Sequence, residues 1–275
     1  MRITKKLTQA LATSLILMAA ATTASAGLVS ISVTNNQPSG GFAFSPVWLG
    51  FHDGSFQTFT PGGNAKGTPL QTIAELANSG PITAAFTGHG SQITVGSAPV
   101  GPGTTLTSTL DVTNSATNRF LSFASMVVPS NDFFFGNPTP LAIFDTSGNL
   151  NSPRTIQIFG RNVWDAGTEV DNANYGAAFL VGVNINDHVD ANGVVQHVFG
   201  DATDYSSYLN SINGRATPYG YNISHLITPD DLIATITFSA VVPEPSTFAL
   251  AGIGLFGLAA TSFVRKRITL RRASA

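Results

Sequence analysis

Leu28 to Thr34 reads Leu-Val-Ser-Ile-Ser-Val-Thr, an alternation of apolar and polar positions with the period of a strand that has one buried and one wet face. The same reading predicts strands over Phe42–Phe51, Thr104–Thr113, Phe120–Val128, Ile156–Phe159, Ala177–Val183 and Leu232–Ala240, each bounded by Gly, Pro, Asn or Asp. One helix interrupts the series. Thr68 is its cap, Pro69 its first position, Ile73, Leu76 and Ala77 its apolar stripe, and Gly80-Pro81 its stop. A single short helix among strands does not make a parallel α/β sheet. The prediction is an all-β, antiparallel sandwich over residues 27–241. The stretch 184–222, rich in Asn, Asp, Gly, Ser and Tyr, reads as a long connection or insertion.

The two ends have a different pattern. Residues 1–26 run from a basic start (Arg2, Lys5, Lys6) through an apolar stretch to Ala24-Ser25-Ala26, the order of a secretory signal cleaved between Ala26 and Gly27. Residues 242–275 begin with Val242-Pro243-Glu244-Pro245-Ser246. The uncharged run Phe248–Val264 follows, and then a basic tail over 265–275 with Arg265, Lys266, Arg267, Arg271 and Arg272. As a helix over 247–264 the run is about 26 Å long, enough to cross a thin bilayer with its cations on the cytoplasmic side. Inside it, Gly252-Ile253-Gly254-Leu255-Phe256-Gly257 spells G-x-G-x-x-G. With no βαβ context or acidic residue downstream, these glycines are helix-packing positions and no nucleotide is assigned. Motif, span and basic tail together resemble the PEP-CTERM sorting signal of Gram-negative bacteria. That resemblance implies processing by the membrane peptidase-transferase exosortase and delivery to the cell surface or extracellular matrix, with a transient or permanent membrane anchor.

Composition sharpens this picture. The 275 residues carry a net charge of -2, with 10% charged residues and no cysteine. Disulfides, thiolate metal sites and cysteine nucleophiles are excluded, and so is a polybasic nucleic-acid binder. Eight of the 13 cations lie in the two address segments, against Glu244 alone. Residues 27–241 therefore hold five cations and 14 acids, a net of -9. That balance suits soluble display and divalent-cation binding, not anionic lipid or DNA.

Two acidic stretches carry the candidate chemistry. Ser125-Met126-Val127-Val128-Pro129-Ser130-Asn131-Asp132-Phe133-Phe134-Phe135-Gly136 runs a strand into a turn with Asp132 at its mouth. Trp164-Asp165-Ala166-Gly167-Thr168-Glu169 is a tight loop with two carboxylates four apart. Carboxylates at loop tips with backbone carbonyls are what calcium coordinates, although an Asn-Asp turn also commonly bonds only its own backbone. These two stretches resemble the core of the spondin N-terminal (F-spondin) domain family, and Leu70–Gly80 and Pro102-Gly103-Thr104 fit the same pattern. The resemblance implies a β-sandwich related to calcium-dependent membrane-binding modules, with one divalent cation, calcium, at a loop end. By position, Asp132 and Asp165 become carboxylate ligands and Phe134 offers its backbone carbonyl. Asp111 is the nearest third acidic ligand, and Glu169 lies just behind the ligands. The cysteines of the animal members are absent.

Weaker patterns lie elsewhere in the chain. Asp187, Asp190, Asn192 and Gly193 match part of a calcium loop but equally a turn at Asn192-Gly193. Trp48, Tyr205, Tyr208, Tyr219 and Tyr221 suit a sugar platform or core packing. The five histidines are scattered, and there is no G-x-S-x-G elbow or phosphate loop. Two functions follow. One is a non-enzymatic exported surface protein whose cation-fixed loops bind a partner, an extracellular polysaccharide or surface protein. The alternative is a secreted polysaccharide hydrolase using Asp132 and Asp165 as its acid–base pair.

Overall fold

The computed structural model describes residues 27–150 and 154–241. The signal over 1–26 and the sorting segment from Val242, with its G-x-G-x-x-G run and expected membrane helix 247–264, lie outside the described residues. Among the described residues no helix is long and apolar enough to cross a membrane. Gly27–Ala240 forms one unit. Its elements are β1 (Leu28–Asn35), β2 (Ala43–Phe44), β3 (Val47–His52), α1 (Pro69–Leu76), α2 (Gly80–Ala85), β4 (Gly90–Val95), β5 (Thr105–Asp111), β6 (Phe120–Val128), β7 (Phe133–Gly136), β8 (Leu141–Ala142), β9 (Arg154–Phe159), β10 (Val163–Asp165), β11 (Gln196–His197), α3 (Ser206–Ile212) and β12 (Leu232–Ala240).

Two antiparallel sheets form the frame. One has four strands in the order β5-β1-β12-β9. The other has eight, β11-β10-β7-β6-β3-β4, with β2 and β8 also on β6. The four-stranded sheet keeps the alternation of its sequence. Val29, Ile31 and Val33 of β1 point inward with Ile236 and Phe238 of β12. Its outer face is a grid of hydroxyls. Ser32 lies between Thr107 and Thr237, Thr34 between Thr105 and Thr235, and Ser30 between Thr109 and Ser239. Hydroxyls pair across strands, Ser32 with Thr107 and Thr34 with Thr105, both at 2.9 Å.

The eight-stranded sheet is covered on both faces, so its strands read as unbroken apolar runs. β3 and all but the first residue of β6 are buried throughout. The period of two survives as an alternation between two cores. Val47, Leu49, Phe51, Phe123, Phe133, Phe135 and Val163 face the other sheet. Trp48, Ala124, Phe134 and Trp164 face a third layer that contains α1 and α2, where Leu70, Ile73, Ala74, Ile82 and Phe86 complete a second core. Gly50 makes the close approach possible: a Cβ there would stand 2.6 Å from the Phe86 ring. Each large side chain buried this way contributes about 1.5–3 kcal/mol. His52 is buried in the same layer. Its Nδ1 accepts from the Gly54 and Phe56 N–H groups, so the proton sits on Nε2 and goes to Ser122 Oγ. Burial holds its pKa below the usual histidine value.

The structure corrects several sequence expectations. The helix from Pro69 stops at Ala77, whose left-handed φ of 55° ends it. Gly80-Pro81 then opens a second helix instead of only closing the first, because proline's fixed φ suits a first turn. Phe42–Phe51 breaks at Ser45-Pro46, where Pro46 lacks an N–H for the ladder, and β2 and β3 pair different parts of β6. Ala177–Val183 is not a strand. Phe179 at φ 65° and Gly182 at φ 79° turn the chain, and Ala177 and Leu180 anchor the loop in the core. The stretch 184–222 holds β11 and a third described helix, α3.

A buried carboxylate cluster as the candidate functional site

The site lies where β6 turns into β7 and β10 ends. Asp165 at the end of β10 pairs with Phe133 at the start of β7, which sets the Pro129–Asp132 turn beside the Asp165–Glu169 loop. Ser130 shapes the turn: its hydroxyl donates to Val127 O and accepts the Phe133 N–H. Asn131 ties in three further segments. Its N–H donates to Tyr208 Oη (2.9 Å), its Oδ1 accepts from Tyr208 Oη (2.7 Å) and Asn172 N (2.9 Å), and its Nδ2 donates to Tyr175 O (3.1 Å). Gly167 permits the second loop. It sits at φ 67°, and a Cβ there would lie 2.7 Å from Val194 N.

Three carboxylates converge. One oxygen each of Asp132, Asp165 and Asp171 lie within 4.8 Å of one another. Asp132 is 0% exposed. Its Oδ2 accepts from Thr168 N (2.7 Å), Thr168 Oγ1 (3.1 Å) and Glu169 N (3.0 Å), while its Oδ1 has no partner. Asp165 Oδ1 accepts from Gly167 N (2.9 Å) and its Oδ2 from the Tyr205 hydroxyl. Asp171 Oδ1 is buried and unpartnered as well. Among the described residues no lysine or arginine pairs with any of the three. A cavity of about 390 Å³ lined by Asp171, Tyr205 and Tyr208 reaches the cluster from the surface.

The electrostatics follow from burial without a counter-charge. Burial first, then the charges of Asp165 and Asp171, push the Asp132 carboxyl well above the ordinary range. Asp171 is pushed up to about 8 by burial and then by Asp165 and Glu169. Glu169, whose Oε1 is also buried without a hydrogen bond, is pushed up to about 7 by burial and then by Glu75. His188 stands 3.6 Å from that Oε1 and is the one group there that can carry positive charge. Buried carboxylates of this kind either take up protons or surround a cation.

Asp132 and Asp165 are thus brought together, with Glu169 directly behind through its N–H on Asp132. Asp111 is not. It is exposed at the end of β5, opposite Leu28 in the other sheet, and Asp171 takes the third place. Phe134 lies one pair along β7 between Trp164 and Met126, with its ring in the helix-side core. The signal for Asp171 was its place two residues after Glu169, in a run with acids at 165, 169 and 171. Tyr205 and Tyr208, read as platform or packing, are buried staples delivered by the stretch 184–222, and Trp48 is fully buried. Asp187 accepts from Asn184 and Asp190 from Lys66, so that stretch forms no calcium loop. Instead of making a local turn it lies along the Asp165–Glu169 loop, with Gly193 N donating to Gly167 O (2.8 Å).

Residues 241–266 match the PEP-CTERM protein-sorting motif. The motif marks an exported protein that exosortase sorts to the cell surface. No curated protein matches the chain.

Proposed function

We propose that this exosortase-sorted chain is a non-enzymatic surface or matrix protein. In this reading its spondin-like sandwich uses one divalent cation, calcium, to lock its loop end for partner binding. Asp132, Asp165 and Asp171 hold the ion, and Glu169 supports Asp132 from behind. The spondin reading rests on the two quoted motifs, which meet at this cluster. The observation that carries the cation is the placement of unpartnered atoms. Of the four buried side-chain polar atoms without a hydrogen-bond partner among the described residues, three are carboxylate oxygens at this site. Leaving such atoms bare costs about 1–3 kcal/mol each or more, and a hard cation that takes about six to eight oxygens removes that cost. The ion joins the turn before β7 and the loop after β10 to the sheet, and the ordered loops then present a surface to an extracellular polysaccharide or surface protein.

The test is metal analysis and thermal melting in calcium and in EDTA. We expect bound calcium at one per chain and a melting temperature several degrees higher with calcium, since a ligand at about 100 times its Kd adds about 2.7 kcal/mol. Asp132→Ala with Asp165→Ala abolishes the difference. Identical melting in both conditions, with no metal retained, removes the proposal.

A further inference from the structure

A second feature shares no residue with the carboxylate cluster. Segments 37–40, 99–104 and 219–221 line an open groove of about 780 Å³, within the range of small-molecule sites. No charged side chain lines it, in a domain rich in acids. Tyr219 is 47% exposed, the one aromatic among the large exposed apolar residues described. Its ring is held rigidly. The hydroxyl donates to Pro99 O (2.7 Å), Phe179 meets the ring edge-on with centroids 4.9 Å apart, and a Cβ at Gly101 would stand 3.4 Å from it. Phe179 adopts φ 65° to stand there, a conformation costly for a bulky residue.

The polar side chains of the groove are uncharged. Tyr221 donates its hydroxyl proton to Gly41 O (3.1 Å). Gln37 is 3% exposed. It gives Nε2 to Leu232 O (3.4 Å) and leaves Oε1, the fourth unpartnered buried atom, without a donor. The two tyrosine protons are therefore engaged by the protein and Gln37 Oε1 is left in need of a donor, while Ser39 and Thr104 on the same lining bring hydroxyls that both donate and accept. A proline-rich peptide, whose backbone has few N–H groups, leaves the Gln37 acceptor without a donor. An anion finds no cation. The fitting ligand has many hydroxyl donors, apolar C–H faces and no charge.

We infer that this groove binds a neutral saccharide, with the Tyr219 ring as the platform for one sugar face and Gln37 Oε1 as the acceptor for a sugar hydroxyl. The inference goes beyond the cation reading and does not depend on it. The test is affinity electrophoresis of the full-length protein through gels containing dextran, xyloglucan or galactomannan, with alginate as the anionic comparator. A proline-rich decapeptide serves as competitor. Retardation by at least one neutral glycan is expected. Tyr219→Ala weakens it about tenfold, and Tyr219→Phe, which keeps the ring, stays near wild type. Both variants are read beside their melting temperatures, so that a folding defect is seen separately. Retardation persists in EDTA. Its loss there with the fold intact overturns the groove in favour of a cation-bridged sugar, while the calcium-dependent melting test stands or falls separately. Equal retardation of wild type and Tyr219→Ala, preference for alginate, displacement by the peptide, or no retardation by any neutral glycan also overturns it.

Discussion

Asp132 divides its labour between two oxygens. One satisfies three donors of the neighbouring loop, and the other is bare and faces two more acids. This fixes how the metal-free protein responds to pH. Asp171 has a folded pKa of about 8 against an ordinary 3.8, and Glu169 about 7 against 4.5. Groups with raised folded values contribute stability below their unfolded values and lose it as pH rises through the folded ones. In EDTA the protein therefore loses stability between about pH 4 and pH 8. Asp171→Asn, which cannot ionise, flattens that slope and is the more stable form in EDTA at pH 8. In calcium the order reverses. Denaturant melts at pH 5 and 8, with and without calcium, measure all four quantities. His52 acts in the opposite direction below its usual 6.5, but equally in both proteins, so it cancels from the comparison. Asp132 and Asp165 were legible because a Pro-Ser-Asn-Asp turn and a tight Asp-Ala-Gly-Thr loop announce themselves locally. Asp171 was legible only as one of several acids, since its role depends on how a loop without periodicity folds back.

At the level of elements, α3 belongs to the site even though no carboxylate of the cluster lies on it. Tyr208 places its hydroxyl on both the N–H and the Oδ1 of Asn131, and the neighbouring Tyr205 bonds Asp165. Tyr208→Phe leaves a buried N–H and a buried carbonyl oxygen each short of a partner. We expect a loss of about 1–3 kcal/mol by denaturant melting and a weaker calcium affinity by calorimetry, because the turn before Asp132 loosens. Sequence periodicity found β1, β5, β6 and β12 within a residue or two, since their apolar runs are long. It missed β7, β8, β10 and β11, at four, two, three and two residues, because strands so short hold no full period, and it missed the six-residue β4, whose Gly-Ser-Gln start shows no alternation. It could not separate the two cores of β3, because burial on both faces erases the contrast between neighbouring positions. The helix α3 was hidden by a composition of Ser, Asn and Tyr that reads as loop.

For the whole molecule, charge is distributed by destination. Eight of the 13 cations lie in residues 1–26 and 242–275, and 14 of the 15 acids lie in residues 27–241, which hold the net of -9. The sorting match at 241–266 begins directly after β12 ends at Ala240, past the last described strand. Pro243→Ala with Glu244→Ala should reduce the fraction accessible to surface labelling while the calcium-dependent melting of the purified protein is unchanged. Loss of both together would mean that the motif contributes to the fold.

The hydroxyl grid on the four-stranded sheet has a consequence for the environment the protein is sent to. Its positions repeat about every 4.8 Å across strands and about 6.7 Å along them, and serine and threonine hold the ordered positions instead of ionisable groups. Water on that face is organised by hydroxyls that do not titrate over the biological pH range and that added salt does not screen. Amid charged polymers at a cell exterior, the hydroxyl-bearing part of that side, with Asp111 at its corner as the exception, stays wetted when pH or ionic strength changes and offers little charge to the ions around it.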